Sequence, residues 1–316
     1  MSAFLPPEEL RAVESLDLLV DAPAHIPEIP QLLQNTLLVG GKRLRPALCF
    51  LMGRLLGVST EKLAPFARAA ELTHAATLAH DDVTDEAERR RNRPTLNAVT
   101  GNSRAVLTGD LLLARVLREI ADQGNPEVLR DMTVVYEDLV TGEWLQLEAR
   151  GKIDVTRELL ERIARHKTGS LLRWCCSTPA RLAERGPEFI RTAEKLGETL
   201  GLAFQMIDDV IDFEVGGEKP FAQDLREGTV NFVTLAMIER RPELSRMLAE
   251  TLGRETRTYP WTDEELADAR ESVREQAARK MEEADEYLNE LARAPHDSNS
   301  LEWMQLLFAG MACRTR

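Results

Sequence analysis

Apolar residues return every three or four positions along most of the chain, the period of an α-helix rather than a strand. Between Glu61 and His80 they fall at Leu63, Phe66, Ala67, Ala70, Leu72, Ala75, Ala76 and Leu78. These positions circle nearly the whole helical wheel, which predicts a helix buried on most sides instead of one with a single wet face. The same spacing predicts helices over Val106 to Asp122, Pro126 to Leu147, Thr156 to Leu182, Pro187 to Phe213 and Asp263 to Ala292. A short apolar helix is expected from Leu301 to Cys313. Alternating runs rich in Val, Ile and Thr are absent, so no sheet is expected, and no fixed-period repeat is present. The pattern predicts an all-α fold, a single large helical bundle formed as one domain over residues 1–316, because long helices follow one another with no linker between them.

Two polar segments interrupt the helices. They are EAERRRNRPTLNAVTGNSR, from Glu86 to Arg104, and EVGGEKPFAQDLREGTVN, from Glu214 to Asn231. Long irregular segments inside compact folds usually serve as binding loops or lids. A third, Ala294 to Ser300, reads as a simple connector.

Each of the first two segments follows a helix that ends on aspartates. HDDVTDE carries Asp81, Asp82 and Asp85, and FQMIDDVIDF carries Asp208, Asp209 and Asp212. Both read DDxxD. Residues i and i+4 of a helix lie one turn and about 40° apart, so Asp81 and Asp85 point the same way, as do Asp208 and Asp212. Like charges so placed destabilise a helix by roughly a few tenths of a kcal/mol. A hard divalent cation is the natural compensation, and Mg²⁺ takes few carboxylates and shares phosphate oxygens. One DDxxD alone reads as a solvated helix end. Two with the same spacing, each followed by a basic loop, read as metal sites.

Charge sharpens this. The 316 residues hold 53 Asp and Glu against 40 Lys and Arg, a net charge of −13. So acidic a chain is repelled by nucleic-acid phosphates and by anionic membranes. No apolar run reaches the roughly 18 residues of a membrane span; the stretch Leu48 to Leu56 is broken by Arg54. The acidic N-terminus lacks the basic start of a signal peptide. Four cysteines in this length form neither a disulfide framework nor a CxxC pair, and a reduced, cytoplasmic protein without zinc is expected.

Against that acidic background the basic groups stand out: Gly40-Gly41-Lys42-Arg43 with Arg45, the run Arg89, Arg90, Arg91 and Arg93, Lys167 beside Thr168, and Lys219 with Arg226. Arginine forks and lysine point charges suit phosphate oxygens. GGKRLR lacks the spacing of a P-loop. Carboxylate cluster followed by basic loop, twice over, points to a metal-bridged polyphosphate beside a second anion.

These residues carry a resemblance. The chain resembles the trans-isoprenyl diphosphate synthases of the polyprenyl synthetase family. The matching text is GGKRLRP at 40–46, ELTHAATLAHDDVTDEAERRRNRPT at 71–95, GD at 109–110, GEWLQLE at 142–148, KTGSL at 167–171, LGLAFQMIDDVIDF at 200–213 and KPFAQDLREG at 219–228. The motifs run in family order from about residue 40 to 235. The resemblance implies a helical bundle around a central cavity and an Mg²⁺-dependent condensation of isopentenyl diphosphate with an allylic diphosphate. It assigns Asp81, Asp85 and Asp208 to the metal, with Asp82 and Asp212 in support. Arg90, Lys167 and Lys219 would clamp the allylic diphosphate, and Lys42, Arg45, His74 and Arg91 the diphosphate of isopentenyl diphosphate. Thr168 and Gln205 would face the reacting carbons. It also implies a homodimer, for which the broadly apolar helices over residues 106–147 could supply the interface.

In the family a Phe or Tyr at the position of Ala76 or Thr77 stops chain growth. With a rise of about 1.5 Å per residue, the small residues here imply depth for a long product of about seven or eight isoprene units. Geranylgeranyl or farnesyl diphosphate synthesis remains an alternative, since a bulky residue on a neighbouring helix, such as Leu111, Leu113 or Tyr136, could seal the tunnel. A class I terpene cyclase would carry one DDxxD and a second site of Asn, Ser and Glu, and a non-catalytic partner subunit would have lost aspartates; this chain keeps six. Several positions depart from the family: Asn92 and Ala222 stand where glycines are usual, Thr229 where a lysine often completes the second loop, Asn231-Phe232-Val233 where Thr-Leu-Pro is usual, and Glu218 separates Gly216 and Gly217 from Lys219.

Overall fold

Ser59, Thr156, Asn231 and Thr262 each open a helix by accepting the backbone N–H three residues on, which satisfies a donor the helix itself leaves unpaired. At Thr262 the cap is reciprocal, since Glu265 reaches back to the Thr262 N–H. The computed structural model describes residues 3–20, 26–38, 40–90, 92–214, 221–254, 256, 258–293, 297 and 299–312. Among them the fold is helical apart from one two-residue ribbon, Arg89–Arg90 against Arg93–Pro94. None of the described helices is long and apolar enough to cross a membrane.

The chain divides into two compact units. One comprises Met1–Thr133, Cys175–Ile190 and Ala294–Met304; the other comprises Val134–Trp174, Arg191–Arg293 and Gln305–Arg316.

In the first unit the Thr60–Thr84 helix packs against Leu44–Leu56 and Asn102–Asp122. Its buried side chains include Leu63, Phe66, Ala67, Ala70, Leu72, Ala75, Ala76 and Ala79, the all-round burial the sequence predicts. Alanines on this helix let neighbouring backbones come close, so packing favours small side chains here as well as large ones. Arg43 enters the Leu44–Leu56 helix in a left-handed conformation, φ 43°, and its guanidinium donates to the carbonyls of Val13 and Leu16 at 2.7 and 3.3 Å. It is thereby tied to the end of the Pro7–Glu14 helix, whose last carbonyls lack helical partners. Arg54 does similar work for the buried Glu9, holding both carboxylate oxygens at 3.0 and 3.2 Å.

The first polar segment is more ordered than a loop. After the ribbon, Thr95 caps a short helix, Leu96–Thr100. Thr95 and Asn97 hydrogen-bond the Ala87 carbonyl, and Asn97 also bonds the carbonyl of Asp82. Short polar side chains here take over backbone partners that a regular element would supply.

In the second unit the core gathers Met206, Ile207, Val210, Phe213, Leu225, Phe232, Val233, Ala236, Val273 and Ala277. The Phe232–Arg240 helix packs on Asp263–Leu291 and on Arg157–Ala164. The stretch read as one helix from Thr156 to Leu182 is divided: Arg157–Ala164, a single π-helical turn at Arg165–Gly169, then Ser170–Leu182. A π turn inserts one extra residue and is common at functional positions.

Cys49, Cys175 and Cys176 are buried free thiols of the first unit. Burial raises the pKa of all three, that of Cys175 to about 12 with Arg45 partly opposing it. Only the thiolate reacts. In a Cys313→Ser background, Ellman's reagent at pH 8 should therefore leave the native protein unlabelled and titrate three thiols once guanidinium unfolds it. Rapid native labelling would contradict the burial.

Candidate active site

Both aspartate clusters sit in the last turn of a helix. The Thr60–Thr84 helix ends one residue before Asp85, whose N–H still bonds the Asp81 carbonyl at 2.8 Å. Pro187–Asp212 ends on Asp212 itself. A helix C-terminus carries partial negative charge, which disfavours carboxylates and attracts cations. Neither last turn holds a basic residue.

Within each cluster the second aspartate is buried. Asp82 is gripped by the Arg90 fork, Nε at 2.9 Å and Nη2 at 2.8 Å on one oxygen. Burial still raises its pKa, with Arg90 opposing and Asp85 adding to the rise. Asp209 accepts from Gln205 Nε2 at 2.8 Å and from the Phe232 N–H at 2.9 Å. Burial and the nearby Asp224 push its carboxyl well above the usual range. Asp81, Asp85 and Asp208 are half-buried.

Asp212 is buried and faces the chain that follows it. Its two oxygens accept from the N–H groups of Gln223 and Asp224 at 3.1 and 3.3 Å, and its carbonyl accepts from Ala222 at 2.9 Å. Asp212 thus caps the Gln223–Arg226 turn. Ala222 has φ 52° and Asn92 φ 60°, the left-handed region where glycine is at ease. This is the physical reason glycine is usual at both positions. Asn tolerates the region; an alanine there costs roughly 1–2 kcal/mol. Thr229 is half-buried rather than on an open loop, and its N–H bonds the Asp224 carbonyl.

The π turn sets the next pair. Lys167 donates to Gln146 Oε1 at 3.0 Å and forms an ion pair with Glu143. The next residue, Thr168, donates its hydroxyl to Gln205 Oε1 at 3.1 Å. A continuous line of hydrogen bonds therefore runs from Thr168 through Gln205 and Asp209 to the Phe232 N–H. Glycines permit the approach. A Cβ on Gly201 would lie 2.4 Å from the Gly169 Cα, and one on Gly142 would lie 2.6 Å from the Lys167 Cγ.

Of the other predicted residues, Lys42 is exposed, and Arg45 and His74 are half-buried in the first unit. The charges of Arg45 and Glu71 both act on the Cys175 thiol. Arg91 and Lys219 lie outside the described residues. The sequence reading assigned no role to Glu143, Gln146, Asp224 or Asn231, and took Asp209 only as a member of its cluster. The GEWLQLE match held the first two, at a spacing of three that places them on one helix face, and that was the available signal.

Among the described residues no three His, Cys, Asp or Glu side chains form a ready cation cage. The donor set nevertheless fits Mg²⁺. The half-buried carboxylates offer hard oxygens at negative helix ends, and Mg²⁺ binds through one or two carboxylates with waters and phosphate oxygens completing its shell.

A family model described as polyprenyl synthetase matches residues 26–267. The octaprenyl diphosphate synthase of Escherichia coli (strain K12) is 36% identical over 213 residues, covering 66% of each chain. An all-trans-nonaprenyl-diphosphate synthase of Rhodobacter capsulatus is 36% identical, covering 63% of this chain and 62% of its own. The chain thus spans just under two thirds of the length of these relatives. Among solved structures, a decaprenyl diphosphate synthase from Rhodobacter capsulatus superposes with a TM-score of 0.84 at 27% identity, covering 98% of this chain and 97% of its own. A polyprenyl synthase from Caulobacter crescentus CB15, complexed with calcium and isoprenyl diphosphate, does so with a TM-score of 0.83 at 25% identity, covering 98% and 95%.

Proposed function

The chain belongs to the polyprenyl synthetase family, and from that premise we propose that it is a prenyltransferase that condenses isopentenyl diphosphate with an allylic diphosphate to give a long trans-polyprenyl diphosphate. The observation that carries this reading is the repeated DDxxD, each copy in a negative helix end that lacks a basic residue.

Asp81, Asp85 and Asp208 would hold Mg²⁺, with Asp82 and Asp212 supporting them. Bound there, the metal supplies positive charge to a departing diphosphate. Arg90, Lys167 and Lys219 clamp the allylic diphosphate and stabilise the negative charge that grows as its C–O bond breaks. Asp82 steadies Arg90 in this work, since both of its contacts fall on one face of the guanidinium fork. Lys42, Arg45, His74 and Arg91 hold the diphosphate of isopentenyl diphosphate. Thr168 has committed its hydroxyl proton to Gln205, so towards other groups its oxygen offers only lone pairs, the polarity a carbocation requires. After the alkene attacks, the released pyrophosphate takes the proton. Incubation with farnesyl diphosphate, isopentenyl diphosphate and Mg²⁺ should release pyrophosphate; no release would sink the reading.

Product length follows from the Thr60–Thr84 helix. Ala76 is fully buried and Thr77 half-buried, and at about 1.5 Å per residue the small side chains above Asp81 support about seven or eight isoprene units. The relatives named for octaprenyl and nonaprenyl products, eight and nine units, support a long chain. Ala76→Phe should shift products to about fifteen or twenty carbons, since a buried ring fills space the growing tail needs, with condensation still proceeding. Mass analysis of dephosphorylated products reads this, and unchanged lengths would reject the assignment.

The protein works as a homodimer in this proposal, in the cytoplasm, where free thiols persist. Val140 and Trp144 are 67% and 64% exposed on the Pro126–Ala149 helix, with Leu147 beside them. One helix face carries all three, an apolar stripe suited to a second copy. Trp144→Glu should convert a dimer to a monomer in sedimentation; a dimer of undiminished strength would remove this face from the interface.

A further inference from the structure

Lys167 has an unusual setting for a residue given the task of holding an anion. Its stem lies against Gly142, where any side chain would collide with it. Its ammonium then reaches one turn along the same helix, donating to Gln146 and pairing with Glu143. Gly142, Glu143 and Gln146 fall on one face, so a single helix supplies the bed, the neutral acceptor and the counter-charge. The pair is mostly buried, with 24% of the Lys167 side chain and 22% of the Glu143 side chain exposed, and there water screens it less than at an open surface.

An ammonium with three donors is oriented by Gln146 alone as well as by any carboxylate. Glu143 adds charge. A diphosphate arriving at Lys167 meets a cation already half neutralised, and it sits close to a like charge. The effect is to weaken the hold on every diphosphate in this position, substrate and pyrophosphate product alike. A synthase that adds many units must release pyrophosphate after each one, and an uncompensated Lys167 would hold it longer.

We propose that Glu143 is a positioning residue that acts through Lys167, lowering its affinity for diphosphate so that pyrophosphate leaves after each condensation. This rests on the reading that Lys167 faces a diphosphate.

The test titrates inorganic pyrophosphate into the protein by calorimetry, with Mg²⁺ and at fixed ionic strength. Glu143→Gln keeps an acceptor for the ammonium and removes the charge. It should tighten pyrophosphate on the order of tenfold. In steady state the KM for the allylic diphosphate should fall and kcat/KM should rise, as tighter uniform binding requires, while kcat falls because pyrophosphate leaves more slowly. A merely structural role would lower stability and would not tighten pyrophosphate. Glu143→Ser removes the same charge and stands in if the glutamine variant folds poorly. Lys167→Met separates the two layers. If it binds pyrophosphate as well as the parent protein, the reading of Lys167 fails. If it binds more weakly while Glu143→Gln shows unchanged or weaker binding, the inference about Glu143 fails alone.

Discussion

Asp81→Ala and Asp208→Ala should each cut turnover by roughly a hundred- to a thousandfold or more, the scale seen when a group that stabilises transition-state charge is removed, while leaving a folded protein. Each aspartate lies in the last turn of its helix, where a negative side chain opposes the macrodipole by up to about 1 kcal/mol. Each also sits among like charges on neighbouring turns, worth roughly a few tenths of a kcal/mol more. Alanine relieves both. Thermal stability without metal should therefore hold or rise slightly, although activity collapses, a trade of the kind functional sites show. Asp82 and Asp209 provide the contrast. Each is buried and hydrogen-bonded; truncating Asp209 leaves the buried Phe232 N–H unpaired, which costs roughly 1–3 kcal/mol, and truncating Asp82 releases the Arg90 fork. Circular dichroism melts without metal and pyrophosphate-release assays with Mg²⁺ separate these outcomes. Near-normal turnover in either Asp81→Ala or Asp208→Ala would show the metal assignment to be wrong.

Gly201→Ala should damage both fold and chemistry. A Cβ there would lie 2.4 Å from the Gly169 Cα, 2.7 Å from its N and 3.1 Å from the Thr168 carbonyl carbon. All three are backbone atoms, so no flexible side chain can yield, and the helices must part. Overpacking of this kind costs typically about 1–3 kcal/mol and occasionally more. The same displacement pulls Thr168 from Gln205, which it now meets at 3.1 Å, so kcat should fall even under conditions where the protein remains folded. Gly186→Ser is the comparison, because a Cβ on Gly186 meets nothing within 4 Å; it should stay within about 0.5 kcal/mol of the parent. Guanidinium unfolding measures both. A Gly201→Ala protein as stable as its parent would mean that the two backbones do not touch.

Much of this protein was determined by sequence alone, because the information is local. The helix over Glu61 to His80 was legible from its apolar spacing, and Thr60–Thr84 has the predicted burial. The DDxxD clusters were legible because residues four apart share a helix face wherever the helix goes. Short helices such as Ile29–Asn35 and Glu243–Ala249 escaped, since two turns carry too few periods to read. Phe232–Arg240 escaped for another reason: six residues in succession from Phe232 to Met237 are buried, and a continuous apolar run has no period to distinguish helix from strand.

Tertiary structure decided the rest. Nothing local marks the π turn that lets Lys167 meet Glu143 and Gln146 while Thr168 meets Gln205. Those partners are 24, 21 and 37 residues away in the chain, and the glycines at 142, 169 and 201 matter only because another backbone or stem lies against them. The left-handed Ala222 is likewise set from outside its own peptide, by Asp212, whose carbonyl and carboxylate take the N–H groups of residues 222–224. A residue's spacing fixes which face it shares, but its charge partner, its burial and its strain depend on which other segment the fold brings to that face.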